Sequence, residues 1–351
     1  EDLEKLLPEV DLFLSIDDYK NIWLKICELI GKKPDVSSKN TLEYEDRIIS
    51  TGSKTAYLKI AEGCSNNCTY CAIPYIRGKY ISRPFEEIIK EAKFLKESGI
   101  EEVIVIAQDT TKYGLDLYNE ARLPKLLKEI AGIGFRWVRF LYAYPESISD
   151  ELIEVVKNTD NICKYFDIPI QHYSNQVLKR MNRKSNSQQI DDLIEKIRKN
   201  IPDVILRTSL IVGFPGEKEE DFFELYEFVN RAKFEKLGAF KYSKEEGTKG
   251  YSMNNQVPKK IKEARYNELM EVQKYISLNL NSEQIGIVSP CIIESFDEDE
   301  NLYYGRNYMY APDDIDGCII ITSNRKLEIG EIVNVKIVEA DFYDLYGEVI
   351  E

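Results

Sequence analysis

The spacing of apolar and polar positions changes character twice along the chain. Between Thr55 and about Ser243, strand-like apolar runs alternate with segments of helical period. The strand candidates are AYLKIA (56–61), EVIVIA (102–107), WVRFLY (137–142), KYFDIPI (164–170), VILRTSLIVG (204–213) and LGAFKYS (237–243). Helices are expected over 84–98, 122–131, 149–157, 186–199 and 217–232. In the first of these Ile88, Ile89, Ala92 and Leu95 share one face, Pro84 suits an early helical position and Gly99 a stop. Six strands separated by helices predict parallel βα units that close, or partly close, into a barrel. Chemistry in such barrels sits in the loops at the C-terminal ends of the strands.

The flanks read differently. Upstream lie a short apolar stretch, VDLFL (10–14), and a helix from Asp17 to about Leu29 ending at Gly31. A polar linker with Pro34, Asn40 and Gly52 then runs over 34–54. Downstream, a long helix over about 258–281 starts at Pro258 and turns Ala264, Leu269, Val272 and Ile276 toward the barrel. After Ser282 the period drops to two. Five short strands (286–296, 303–310, 318–323, 331–341 and 346–350), separated by DEDEN, APDDIDG and KLEIG, predict a small antiparallel β-barrel. The expected fold class is therefore α/β, with a partial (β/α)6 barrel and a β-barrel behind it. The expected division is 1–50, 51–282 and 283–351.

Composition narrows the class. With 351 residues, 43% hydrophobic and 31% charged, the chain suits two or three soluble domains. No apolar run approaches a membrane span, and the N-terminus has no basic-then-apolar leader, so a cytoplasmic location is expected. The missing initiator Met suggests a start inside a longer protein. Charge is lopsided: residues 283–351 hold 16 Asp and Glu against 4 Lys and Arg, a net of −12 out of −14. A surface of that sign repels phosphate and attracts basic partners, although an acidic face also serves solubility alone.

Seven cysteines, an odd number without a leader, argue against a disulfide framework. Cys27, Cys163, Cys291 and Cys318 are scattered and read as idle buried thiols. Cys64, Cys68 and Cys71 sit together in GCSNNCTYCAIP (63–74), directly after the first strand. A C-x3-C-x2-C loop supplies three thiolates to a [4Fe–4S] cluster and leaves one iron open. That open iron can chelate the amino and carboxylate groups of S-adenosylmethionine (SAM), which one electron then cleaves. The competing reading is a structural zinc loop. It requires a fourth Cys or His, and the chain has neither a partner pair nor more than one histidine, His172.

With Tyr70 before its last cysteine, this loop resembles the radical SAM superfamily. More narrowly the chain resembles the methylthiotransferases, and among them those that act on an aspartate of ribosomal protein uS12. AQDTTKYGLDLY (107–118), DIPIQHYSNQVLKRMNR (167–183), RTSLIVGFPGE (207–217), YSKEEGTKGY (242–251), VPKKIKEARYNELMEVQ (257–273) and YGRNYMYAPDDIDG (304–317) extend the likeness over nearly the whole chain. AQDTTKYG separates this branch most sharply from its tRNA-modifying relatives. The acidic module resembles a TRAM domain.

The resemblance implies a transferase. One SAM methylates a sulfur held at a second [4Fe–4S] cluster, and another is cleaved at the first. The radical removes hydrogen from the aspartate β-carbon, where a methylthio group is then installed. A low-potential electron donor is implied, and uS12 is expected to dock on the acidic TRAM domain. The SAM pocket is expected to draw on Tyr70, Ile73, Gln108, Tyr142, Gln171, Arg207 and Gly213, with Arg207 meeting the SAM carboxylate. Each of these also has a purely structural reading. The family's second cluster belongs to an N-terminal domain with three further cysteines. Only Cys27 precedes residue 55, so residues 1–50 are expected to be a remnant of that domain, and this chain to cleave SAM without completing the transfer. Two alternatives stand: a tRNA adenosine methylthiotransferase, disfavoured by the acidic C-terminal module, and a non-enzymatic binding module with a structural metal loop.

Overall fold

The computed structural model describes residues 2–15, 18, 21–34, 47–49 and 54–350. The chain divides into two compact units, 1–50 and 51–351.

In the first unit, helices span Asp2–Leu6 and Ile22–Leu29. The second buries Cys27 and ends where Gly31 takes a left-handed φ of 66°, a common helix stop. The apolar stretch 10–14 forms neither helix nor strand. Asp17, the expected helix start, lies outside the described residues, as does most of the expected linker over 34–54.

The described residues of the second unit form thirteen strands: β1 Thr55–Lys59, β2 Ala61–Glu62, β3 Ile81–Ser82, β4 Glu102–Ile106, β5 Trp137–Phe140, β6 Tyr165–Asp167, β7 Ile205–Val212, β8 Lys236–Lys241, β9 Val288–Asp297, β10 Leu302–Arg306, β11 Ile319–Thr322, β12 Ile332–Ala340 and β13 Leu345–Val349. Six of these make the expected partial barrel. Parallel sheets β1-β4-β5 and β6-β7-β8 are joined by a parallel bridge, Val138 to Ile162. β4 reads EVIVI and is buried almost throughout, as a parallel strand covered on both faces must be. The two-residue hairpin of β2 and β3 frames the cysteine loop and left no periodic signal in the sequence.

Helices cover the sheet. Phe85–Glu97 buries Ile88, Ala92 and Leu95 as expected, but Glu91 also turns inward, where it pairs with Arg83 at 2.6 Å. Ser149 caps helix Asp150–Asn158, and an Asn186–Gln189 capping box starts helix Ser187–Asn200. Helix Lys259–Ser282 packs on β8 and on helix Glu219–Ala232. Its inner face is Arg265, Leu269, Gln273 and Ile276. Ala264 instead faces solvent and Val272 is half-buried. Two polar residues take inner positions where each finds a partner: Arg265 pairs with Glu217, and Gln273 donates to the Phe234 carbonyl.

Strands β9 to β13 form a closed barrel in the order β10-β11-β13-β12-β9. Four pairings are antiparallel; β11 and β13 run parallel. The purely antiparallel expectation fails for a simple reason. A closed ring with an odd number of strands cannot alternate direction all the way round. The two barrels share one apolar core, in which Ile104, Tyr165 and Ile205 meet Ile292, Tyr310 and Val335. Among the described residues no helix is long and apolar enough to cross a membrane.

Candidate active site

The cysteine loop leaves β2 through Gly63, whose φ is 72°. A Cβ there would lie 2.1 Å from the Lys79 carbonyl oxygen, so only glycine lets the loop pass this close. The Cys64 amide then donates to the Gly78 carbonyl (3.1 Å), and a turn brings the Cys71 amide to the Cys68 carbonyl (3.2 Å). The loop is pinned from several sides. The Thr69 hydroxyl donates to the Arg180 carbonyl (2.8 Å) and the Thr69 amide to that of Met181 (3.1 Å). The Gly250 amide donates to the Thr69 carbonyl at 2.7 Å. The Asn66 side chain donates to Asp109 Oδ2 at 2.9 Å.

Cys64 and Cys68 are each 7% exposed, and Cys71 is half-buried. Burial pushes the Cys64 and Cys71 thiols up, opposed by the backbone N–H of Asn66 at Cys64 and of Ile73 at Cys71. Cys68 Sγ lies 3.9 Å from the Tyr144 hydroxyl. Cys68 and Cys71 line a shallow cleft with Asn67, Pro74, Tyr75 and Lys249. Among the described residues, no three Cys, His, Asp or Glu side chains converge on a point where one metal ion would sit. A cubane cluster asks for something else, one thiolate per iron on three of its corners, with N–H groups directed at sulfur. The donor set here fits that demand: three thiols, two of them carrying backbone N–H. The fourth ligand that zinc needs is not offered by His172. Its Nδ1 accepts from the Ser174 amide (3.0 Å), and its Nε2 faces Glu217 at 3.5 Å.

The other expected site residues fall into groups. Tyr70 and Ile73 belong to the cysteine loop and the helix Ile73–Arg77 that follows it; burial pushes the Tyr70 hydroxyl well up. Gln108 follows β4, half-buried. Tyr142 and Gln171 lie just past β5 and β6 with left-handed φ values of 62° and 75°. Non-glycine residues hold such angles at a cost of about 1–3 kcal/mol and persist only where neighbours impose them. The Tyr142 amide donates to Asp167 Oδ2 (3.0 Å) and its carbonyl accepts from Thr110. The Gln171 amide donates to the Ser209 carbonyl and its carbonyl accepts from Ile211. Tyr142 remains 43% exposed at the C-terminal end of the sheet.

Gly213 begins the GFPGE turn, but its amide and that of Phe214 both donate to Glu217 Oε2, at 2.7 and 3.2 Å. Arg207 departs most from expectation. It is the third residue of β7, and its guanidinium is engaged by Asp167 (2.7 Å) and by Asp316 from the small barrel (3.2 Å). Two carboxylates already fill the role intended for the SAM carboxylate. Other residues at the loop escaped notice in the sequence: Tyr144, with Arg183 stacked 4.3 Å from its ring centre, and the Asp109–Lys112 pair inside AQDTTKYG.

A six-stranded parallel array, with three thiols in the loop that leaves its first edge, is the architecture of radical SAM proteins. Residues 58–229 match the family model described as the radical SAM superfamily, and residues 285–350 match the TRAM domain. Three similar curated proteins carry the description ribosomal protein uS12 methylthiotransferase RimO. That of Alkaliphilus oremlandii is 54% identical over 349 residues, covering 99% of this chain and 79% of its own. That of Clostridioides difficile is 51% identical over 356 residues and that of Acetivibrio thermocellus 48% over 362; each alignment covers 100% of this chain and 80% of the relative. Among solved structures, the cobalamin-dependent SAM radical enzyme OxsB aligns at 14% identity and a TM-score of 0.49, over 78% of this chain and 41% of OxsB. The chain belongs to the uS12 methylthiotransferase family of radical SAM enzymes, whose cofactors are a [4Fe–4S] cluster and SAM.

Proposed function

We propose that the protein transfers a methylthio group to the β-carbon of an aspartate in ribosomal protein uS12, with Cys64, Cys68 and Cys71 as the ligands of its radical-generating cluster. The observation that carries this is the loop itself: three thiols after the first strand, two of them met by backbone N–H groups. When bound, cluster and SAM supply a 5′-deoxyadenosyl radical by one-electron cleavage of the sulfonium bond. The chain's own residues prepare the ground. Asn66 and Ile73 direct amides at the thiols, Gly63 sets the approach of the loop, and Tyr70, Ile73, Gln108, Tyr142, Gln171 and Gly213 border the place for SAM. Arg207 is left out of this pocket because Asp167 and Asp316 hold it.

The domain reading follows. Residues 1–50 derive from the family's N-terminal domain with its linker, 51–282 form the radical SAM barrel and 283–351 the TRAM domain. We assign docking of uS12 to the acid-rich TRAM face and reduction to a low-potential donor, in the cytoplasm. Several TRAM acids are engaged within the chain: Asp313 accepts from Tyr57, Asp316 from Tyr165 and Arg207, and Glu294 from Arg306. The β9–β10 turn, Asp297 to Glu300, keeps its charge toward solvent and is the stronger docking candidate. Binding to purified uS12 and to bulk tRNA at two salt concentrations tests the reading. Salt-sensitive preference for uS12 is expected. Tight tRNA binding with no affinity for uS12 would place the protein on the tRNA-modifying branch.

A further inference from the structure

We propose that Asp109 and Lys112 are positioning residues of the cluster loop, acting through Asn66, and that the Lys112 ammonium helps set the reduction potential of the cluster. This rests on the assignment of Cys64, Cys68 and Cys71 as ligands.

Asn66 lies between the first two cysteines, and both ends of its amide are held. Its Nδ2 donates to Asp109 Oδ2 at 2.9 Å, and its Oδ1 accepts from Lys112 Nζ. Lys112 closes the triangle 3.7 Å from Asp109 Oδ2. The clamp is itself fixed. Asp109 is 0% exposed, and its Oδ1 accepts from the Thr111 hydroxyl. Its backbone carbonyl accepts from the Tyr80 hydroxyl at 2.9 Å, while the Tyr80 amide returns to Ser65 Oγ in the cysteine loop (3.2 Å). Thr110 ties the same turn to the Leu141 and Tyr142 carbonyls, at 2.8 Å through its hydroxyl and 3.1 Å through its amide. A buried carboxyl group this well engaged is costly to assemble and rigid once assembled.

Position alone would make the pair a brace. Its charge does more, because the hydrogen bond from Lys112 Nζ to Asn66 Oδ1 holds a cation against the loop between Cys64 and Cys68. A fixed cation held against the cluster loop favours the electron added to the cluster, and second-sphere charge is a principal control of cluster potential. Neighbouring Asn66 has no charge and conveys only geometry. The two acidic and basic ends of the clamp therefore have separable effects.

The full chain, reconstituted anaerobically, is measured for iron and sulfide retained under a chelator and for cluster midpoint potential by redox titration with EPR. Asp109→Ala is expected to lose iron about tenfold faster than wild type, the usual scale for an outer partner of a metal site. Lys112→Met is expected to keep its iron but to be reduced only at a more negative potential, and Lys112→Arg to restore the wild-type potential. If Asp109→Ala does not fold, the Lys112 pair carries the test, since a mere brace would not move the potential and recover it with charge. Unchanged retention in Asp109→Ala together with an unchanged potential in Lys112→Met would overturn the proposal. A Cys68→Ala variant that held a complete cluster would overturn the ligand assignment beneath it.

Discussion

At the scale of single residues, burial decides what charge can do. Lys236 opens β8, 7% exposed, with its ammonium 3.1 Å from the Asp316 carbonyl and 3.6 Å from the centre of the Tyr310 ring. Burial pushes its pKa down to about 8, against the pull of Asp316 and Asp344. Between that value and the 10.5 of an ordinary lysine, the unfolded chain holds a proton that the folded chain has released. Stability contributed by this group therefore rises with pH across the window. Two buried thiols and the half-buried Cys318 oppose it: desolvation pushes Cys163 up to about 11 and Cys291 and Cys318 up to about 12, so each favours the unfolded state as pH climbs past 9. A difference between two variants separates the effects. Chemical unfolding of wild type and Lys236→Met from pH 7.5 to 10.5 is expected to show wild type gaining on the variant, by up to about 3 kcal/mol at 1.4 kcal/mol per pKa unit. A constant difference would mean that Lys236 keeps its proton in the fold.

At the scale of elements, the cysteine loop stands on one glycine. Gly63 combines a φ of 72° with the Lys79 and Gly78 carbonyl oxygens at 2.1 and 2.8 Å from any added Cβ. Those are backbone atoms that no rotamer change can move. Gly63→Ala is expected to displace the loop from the β2–β3 hairpin and lower reconstituted iron severalfold. The helices distant from it should keep the wild-type far-UV spectrum. Full iron loading in that variant would show that the hairpin yields. This glycine was visible in the sequence only as a letter beside Cys64, since a close approach is a property of two segments. The same limit explains much of the rest. The six barrel strands and five small-barrel strands were legible within a few residues because burial imprints period and β-branching on them. The β2–β3 hairpin is too short to carry a period, and helix Asn175–Arg180 lies inside a segment that reads as motif. Arg265 and Gln273 were not among the expected inner positions of their helix; Glu217 and the Phe234 carbonyl, distant in sequence, hold them there. Cysteine spacing singled out the loop as the candidate cluster site. The clamp on it joins Asn66 to Asp109, 43 positions on, and spacing says nothing about such a pairing.

At the scale of the whole second unit, the acidic TRAM module is part of the barrel's foundation as well as a surface. Arg306 of β10 is 1% exposed and reaches across to Glu102, the first residue of β4, while also pairing with Glu294 at 2.7 Å and donating to the Thr55 hydroxyl at 2.9 Å. Arg139 of β5, fully buried, holds the other oxygen of Glu102 at 2.9 Å and donates to the Tyr308 carbonyl at 3.0 Å. The network lies beside the shared apolar core, so the two barrels are expected to unfold in one transition rather than as beads on a string. Net gain from such buried ions over apolar substitutes is small, but removing one partner strands the others. Arg306→Ala leaves Glu102 facing Arg139 alone and Glu294 with no partner from β10, and is expected to destabilise the unit by about 3–5 kcal/mol. Denaturant unfolding of a Trp23→Phe variant, in which tryptophan emission reports Trp137 at the start of β5, followed also by far-UV circular dichroism, provides the check. Coincident curves shifted to lower denaturant support a single cooperative unit clamped at Glu102. Two separated transitions would mean that the small barrel folds on its own and merely rests on the larger one. In that case its acidic face would be free to move when it meets a basic partner.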